Sequence, residues 1–223
     1  MTLAIATETV PFPAPPHTEL GRPSLRQLGY RLRVFDLILQ RLLGAAEGRR
    51  FVDLGGGPLL FARRAQEAGF AVTAVDARPP WTGARPEGIA QVRADIRGFD
   101  VDGFDVVGII GLLYHLRLTE QIDLLRRCAG RPAVIDTEIW CAGLVRELGV
   151  ESPQVRPAEQ LGCSGAVFDE TGNVWSSVGN ETSFWLDEPS LLRLVEGFGW
   201  RRVTLLDPPY FSRFGRRRWY VLQ

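Results

Sequence analysis

The chain has 223 residues, enough for one substantial hydrophobic core and few for two, so a single domain with added elements is the expectation. Its 26 basic residues balance 26 acidic ones, which leaves no global attraction for nucleic acid. Every basic residue is arginine, and the lack of lysine excludes Schiff-base and lysine-base chemistry. The three cysteines, Cys128, Cys141 and Cys163, are widely spaced with no close histidine or cysteine. Neither a disulfide framework nor a structural metal is expected, and a reducing, cytoplasmic setting is. The first residues lack a basic leader and no apolar run reaches bilayer length, so no membrane association is expected.

In chain order, residues 1–23 contain VPFPAPPH, whose prolines forbid helix and predict an extended arm; His17 lies in it. From Ser24, a fair N-cap, the residues Leu25, Leu28, Leu32, Phe35, Ile38, Leu39 and Leu42 recur at helical spacing. FVDL then reads as a buried strand, LLFARRAQEAGF as a helix closed by Gly69, and AVTAVD as a second strand. QVRAD is a third strand, FDVVGIIGLLYHL a fourth with its exit turn, residues 119–128 a helix, and PAVIDTEI a fifth strand. This alternation predicts a doubly wound, Rossmann-like α/β domain over 24–223, with a seven-stranded, mostly parallel sheet. Between 140 and 184 the rhythm breaks into Gly, Ser and Asn with no clear period, which predicts an irregular insertion or lid. EPSLLRLVEGFGW restores a helix with Pro189 in its first turn, and RVTLLD and RRRWYVL read as an antiparallel closing pair. The arginines at 216–218 read as charge guarding an exposed edge strand.

In open parallel sheets ligands bind beyond the carboxyl ends of the strands, so the exit of the first parallel strand, Asp53-Leu54-Gly55-Gly56-Gly57, is the place to look. Gly55 and Gly57 let the backbone approach a ligand closely, and Gly56 reads as a turn residue. Asp76 follows the second parallel strand, where an acid accepts from both ribose hydroxyls. Asp95 follows the third, within reach of an adenine amino group. A dinucleotide would require G-x-G-x-x-G, but Leu60 stands at the last glycine position. Asp53 would also oppose a pyrophosphate by about 1 kcal/mol or more. A ligand with an ammonium and no phosphate reverses that sign, and S-adenosylmethionine (SAM) is such a ligand.

These residues resemble the class I SAM-dependent methyltransferases over 51–139, and the final helix and two strands fit that family's usual ending. DLGGG is similar to its first motif, Asp76 and Asp95 stand where its ribose and adenine acids stand, and FDVVGIIGLLYHL is similar to its fourth-strand motif. The resemblance implies SAM as cofactor, S-adenosylhomocysteine (SAH) as product, no metal, and backbone contacts from Gly111 and Leu112 to the methionine end. More narrowly, GLLYHLRLTEQIDLLRRCAG, a glutamate after strand five and SFWLDEPSLLRLVEGFGWRRV resemble the branch that includes the carboxymethyl-transferring tRNA wobble-uridine enzymes. That branch also holds many small-molecule methyltransferases, and this chain lacks the charge excess that RNA binding uses.

Methyl transfer from a sulfonium needs alignment and exclusion of water, and a base when the acceptor is a hydroxyl. Of the two histidines, His115 follows the fourth strand and is the base candidate; Tyr114 beside it and Glu138 after the fifth strand are further candidates. Arg26, Arg31 and Arg33 are available for the cofactor carboxylate. In the insertion, Trp140, Phe168, Trp175, Phe184 and Trp185 either pack it onto the sheet or line an acceptor pocket, with Asn173, Asn180 and Glu181 for polar readout. A small-molecule O- or N-methyltransferase is the expectation. A SAM-binding scaffold without turnover, a nicotinamide oxidoreductase and a tRNA-modifying transferase are the alternatives.

Overall fold

The computed structural model describes residues 2–15, 25–79, 87–149, 151–173, 176–211 and 215–223. His17, Ser24 and Trp175 lie outside the described residues, as does the side chain of Arg26.

The elements in order are β1 (Ala4–Thr9), α1 (Leu25–Arg41), β2 (Arg50–Leu54), α2 (Leu60–Glu67), β3 (Ala71–Asp76), β4 (Ile89–Arg93) and β5 (Val106–Ile110). After a short 3-10 turn at Leu113–His115 come α3 (Leu118–Cys128), β6 (Ala133–Ile139), α4 (Ala142–Glu147), β7 (Val155–Gln160), β8 (Cys163–Asp169) and β9 (Thr182–Leu186). The chain closes with α5 (Glu188–Gly197), β10 (Arg202–Asp207), β11 (Tyr210–Phe211) and β12 (Arg216–Leu222).

The main sheet runs β1-β10-β12-β6-β5-β2-β3-β4, with β11 paired to β12. From β6 to β4 all neighbours are parallel, while β12 is antiparallel to both β6 and β10. β5 and β6 are buried along their whole length, as strands covered on both faces must be. One face packs α1 and α2 through Val34, Phe35, Ile38 and Ala62 against Phe51 and Trp219. The other packs α3 and α5 through Leu118, Leu124, Leu191 and Val195 against Val52, Ile109 and Ile135. The order reverses between β2 and β5, which puts the glycine turn at the switch point.

The doubly wound, mostly parallel sheet with an antiparallel C-terminal strand is as read from the sequence, with two strands added. The first is β1: part of the proline-bearing arm is an edge strand, parallel to β10 in the register Ile5↔Val203. The second is β11, which folds back on the start of β12.

Two expectations are corrected. The arginines at 216–218 do not guard an edge. β12 lies between β6 and β10, and Arg217 and Arg218 are buried. Their charge is called for from within, because Arg217 is opposite Glu138 in the register with β6. The insertion is not irregular either. It contains α4 and a separate antiparallel sheet in the order β7-β8-β9. Strand periodicity is hidden there by Pro157, Gly162 and Gly165 and by a turn in which Leu161 adopts φ 50°. Phe184 enters the main core, while Trp185 faces the other way and stacks on Phe168 at 5.0 Å.

At Gly165 an added Cβ would lie 2.7 Å from the Phe184 ring and collide with the Trp185 carbonyl oxygen. Gly165→Ala should therefore weaken the β8–β9 pairing, at a cost of about 1–3 kcal/mol. Amide hydrogen exchange should speed up in β8 and β9 and remain unchanged in β2 and β5.

Candidate functional site

β2 ends on Asp53 and Leu54, and the chain then turns through Gly55 at φ 73° and Gly57 at φ 45° into α2. The turn is tied to the end of β3: the amides of Gly55 and Gly56 donate to the Val75 carbonyl at 2.8 and 3.2 Å. The amide of Gly57 donates to Asp76 Oδ2 at 3.0 Å, and that of Arg78 to Asp76 Oδ1 at 2.8 Å. Asp76 is thus fixed at the carboxyl edge of β3 while half-buried.

Asp53 is 1% exposed. One of its oxygens accepts from the Ala62 amide, so the acid caps α2 in place of Leu59, which is left-handed at φ 62° and caps nothing. Its Oδ2 is buried and has no hydrogen-bond partner among the described residues. Gly56 packs closely there: an added Cβ would lie 3.1 Å from the Ala74 Cβ and 3.4 Å from that oxygen. Gly56 is therefore more than a turn residue. Burial first, and Asp76 next, push the Asp53 carboxyl up to about 7, against the Ala62 amide and Arg31.

A second cluster lies where β5, β6 and β12 end. Asp136 is wholly buried and gripped from two sides, by Arg31 of α1 at 2.6 Å and by both ends of the Arg217 fork at 2.8 and 2.9 Å. Arg217 also reaches Glu138 Oε1 and the Tyr114 hydroxyl oxygen, each at 3.1 Å. Burial alone would raise the Asp136 carboxyl; the charges of Arg217 and Arg31 overcome this and hold it low. Tyr114 moves the other way, its phenol raised first by burial. Gly111, at φ 74°, must be glycine here, since an added Cβ would lie 2.8 Å from Arg31 and 3.0 Å from Arg217.

The insertion closes on this edge of the sheet. Glu170, just after β8, meets His115 Nδ1 at 2.9 Å. Asn180 donates to Glu120 at 2.8 Å and to the His115 carbonyl at 3.3 Å. Arg97 holds Asp95 and reaches Glu120 and the Val178 carbonyl, while Arg78 donates to the Ser176 carbonyl. Tyr114, Trp140, Phe168 and Trp185 form one aromatic cluster, with Tyr114 edge-on to Trp185 at 6.0 Å.

The structure thus gathers Asp53, Gly55, Gly57 and Asp76 in one corner. Gly111, Tyr114 and Glu138 lie beside the arginine pair, and the Leu112 side chain lies 3.1 Å from where a Cβ on Gly55 would be. Asp95 is exposed, its carboxylate engaged by Arg97, which lowers it. Arg33 is drawn away onto the Phe12 ring. Sequence reasoning missed Arg217, Glu170, Arg78 and Arg97. For Arg217 a signal existed: Asp136 and Glu138, two residues apart in an apolar strand, share one face and require a buried cation. Glu170 carried no local signal.

No protein-family model matches the chain, and no curated protein is similar to it in sequence. Among solved structures, the N-terminal domain of EvdMO1 with SAH bound is similar at 20% identity and TM-score 0.60, over 87% of this chain and 79% of that one. A Burkholderia thailandensis 1,6-didemethyltoxoflavin-N1-methyltransferase, with its substrate and SAH bound, is similar at 18% identity and TM-score 0.56 over 86% and 76%. Magnesium protoporphyrin IX methyltransferase from Synechocystis PCC 6803, with SAH bound, is similar at 15% identity and TM-score 0.60 over 91% and 89%. At these identities the likeness is one of fold: the sheet is that of SAM-dependent methyltransferases. Among the described residues no group of three or more His, Cys, Asp or Glu is placed to hold a metal, and no helix is long and apolar enough to cross a membrane.

Two outcomes follow from the charges. Arg217→Leu leaves the buried Asp136 with one of its two guanidinium partners and should cost about 3–5 kcal/mol in urea denaturation. For Asp53, the folded value lies above that of the unfolded chain, so the native state holds a proton the unfolded state has released. Its stabilisation is complete below the ordinary carboxylate value of 3.8 and is lost as pH rises through about 7. The stability of Asp53→Asn relative to wild type should accordingly climb between about pH 4 and pH 8.

Proposed function

We propose that the protein is a SAM-dependent methyltransferase acting on a small organic acceptor. The observation that carries this reading is the buried, partnerless Asp53 Oδ2 at the glycine turn, an acceptor suited to an ammonium and hostile to a diphosphate. The bound SAH in structures of the same fold supports it, as do the small-molecule substrates that two of those proteins are named for.

On this reading Asp53 receives the amino group of the cofactor and Arg31 its carboxylate. Gly55, Gly57, Gly111 and Leu112 supply close backbone, Asp76 takes the ribose hydroxyls and Asp95 the adenine edge. When bound, SAM supplies an electrophilic methyl group on a sulfonium. The protein's own work is alignment and exclusion of water, which the closed insertion performs through Arg78, Arg97 and Asn180. His115 takes the acceptor's proton. Tyr114, with its phenol raised and its oxygen accepting from Arg217, orients an acceptor by hydrogen bonding and does not serve as a base. Glu138, paired with Arg217, anchors the same wall. Burial of Arg217 and Arg218 withdraws part of the densest basic run from the surface, so nothing favours the tRNA reading.

Calorimetry with SAM, SAH and NAD tests the assignment. Tight SAH binding with none of NAD is expected, and the reverse overturns it. Asp76→Asn should weaken SAH by about 1.5–3 kcal/mol, and unchanged affinity removes the ribose role. With labelled SAM and a hydroxyl acceptor found by screening, His115→Ala should lower kcat by about 10²-fold or more while SAH affinity holds.

A further inference from the structure

Glu170 is the side chain that the proposed function leaves unused. It stands in the insertion, is 2% exposed, and is ringed by three groups able to donate: His115 Nδ1 at 2.9 Å, Ser183 Oγ at 2.9 Å and Asn173 Nδ2 at 2.5 Å. Three donors around one carboxyl describe an ionised acceptor. Burial by itself would raise Glu170, but the hydrogen bonds from His115, Asn173 and Ser183 bring it below the usual carboxylate range.

An ionised carboxylate can only accept, so in an uncharged ring Nδ1 would carry the hydrogen and the lone pair would be left on Nε2. The rest of His115 is equally constrained. Its amide donates to the Leu112 carbonyl at 2.9 Å, its carbonyl accepts from Asn180, and its ring lies 4.2 Å from that of Tyr114.

We propose that Glu170 is a positioning residue, supplied by the insertion, that locks His115 as the Nδ1–H tautomer so that Nε2 takes the proton of an acceptor hydroxyl. The inference rests on the methyltransferase reading above and narrows it to O-methylation. In the proton step the acceptor O–H bond breaks and its electron pair stays on oxygen. The proton goes to the Nε2 lone pair, and the imidazolium so formed is balanced by the Glu170 carboxylate. The insertion would then complete the base from outside the parallel core.

The test needs no acceptor. Full-length protein labelled with ¹⁵N in its two histidines is read by long-range proton–nitrogen correlation at neutral pH, and His17→Gln assigns the signals. A protonated Nδ1 and a bare Nε2 are expected for His115. Glu170→Gln, whose amide oxygen still accepts, should keep that tautomer, and Glu170→Ala should shift the population towards Nε2–H. A wild-type ring found as Nε2–H or as the imidazolium overturns the proposal, and so does an unchanged tautomer in a folded Glu170→Ala. Should Glu170→Ala fail to fold, the wild-type and Glu170→Gln spectra decide. Calorimetry with SAH on the same samples separates the two readings. SAH should bind wild type and Glu170→Ala alike. Its failure to bind wild type removes the methyltransferase reading, while a wild-type ring that is not Nδ1–H, or an unchanged tautomer in Glu170→Ala, with SAH binding intact removes the role of Glu170 alone.

Discussion

Asp136 binds three distant parts of the chain into one corner. A carboxylate buried in the middle of a sheet is costly by several kcal/mol unless cations come to it. Here one arrives from the N-terminal helix and one from the last strand. Neither guanidinium can be replaced by a local residue, because the neighbours of Asp136 along β6 are Ile135 and Thr137. The docking of α1 and the placement of β12 between β6 and β10 are therefore linked to the same ion cluster. That cluster also explains the glycine at 111, where two guanidinium groups occupy the space a side chain would need. Structural need and cofactor binding coincide there: Arg31, the cation proposed for the cofactor carboxylate, is already turned inward and held by Asp136.

The insertion is joined to the sheet in two ways. Its apolar side enters the core through Phe184, whose amide donates to the Leu116 carbonyl at 3.0 Å and whose carbonyl accepts from buried Gln121 at 2.5 Å. Its polar side is held by arginines that follow Asp76 and Asp95, the two acids assigned to the adenosine. The insertion reaches the end of the site where the nucleoside is proposed to lie, through the contacts of Arg78 and Arg97. Loss of the whole segment would reach cofactor affinity as well as turnover.

The parallel core was legible because its strands are uninterrupted apolar runs and its helices carry clear periodicity, and both signals are local. The glycine turn and Asp76 were legible for the same reason, since each sits directly after such a strand. What escaped notice was set by pairing across the sequence. The arginines of β12 looked like edge charges until β6 was placed opposite them. The β7-β8-β9 sheet was masked by Pro157 and its glycines, and its stability comes from partners rather than from pattern. Glu170 becomes meaningful only once the insertion folds back over the 3-10 turn, 55 residues away in sequence from His115.

Desolvation decides between the ligands that the glycine turn alone would admit. A surface aspartate would repel a diphosphate weakly, since water and salt screen it. Asp53 is screened by neither. At about 7 its carboxyl is near the balance between neutral and charged forms at neutral pH, so a small electrostatic influence selects the form. A diphosphate would press it to the neutral acid, which offers no attraction. An ammonium would draw it to the carboxylate, and the partnerless oxygen would gain the donor it lacks. With Arg31 among the charges Asp53 feels, the corner presents a negative and a positive group together, which is the complement of an amino-acid zwitterion. The proposed preference for SAM over a dinucleotide thus rests on burial and charge as much as on the spelling of the glycine motif.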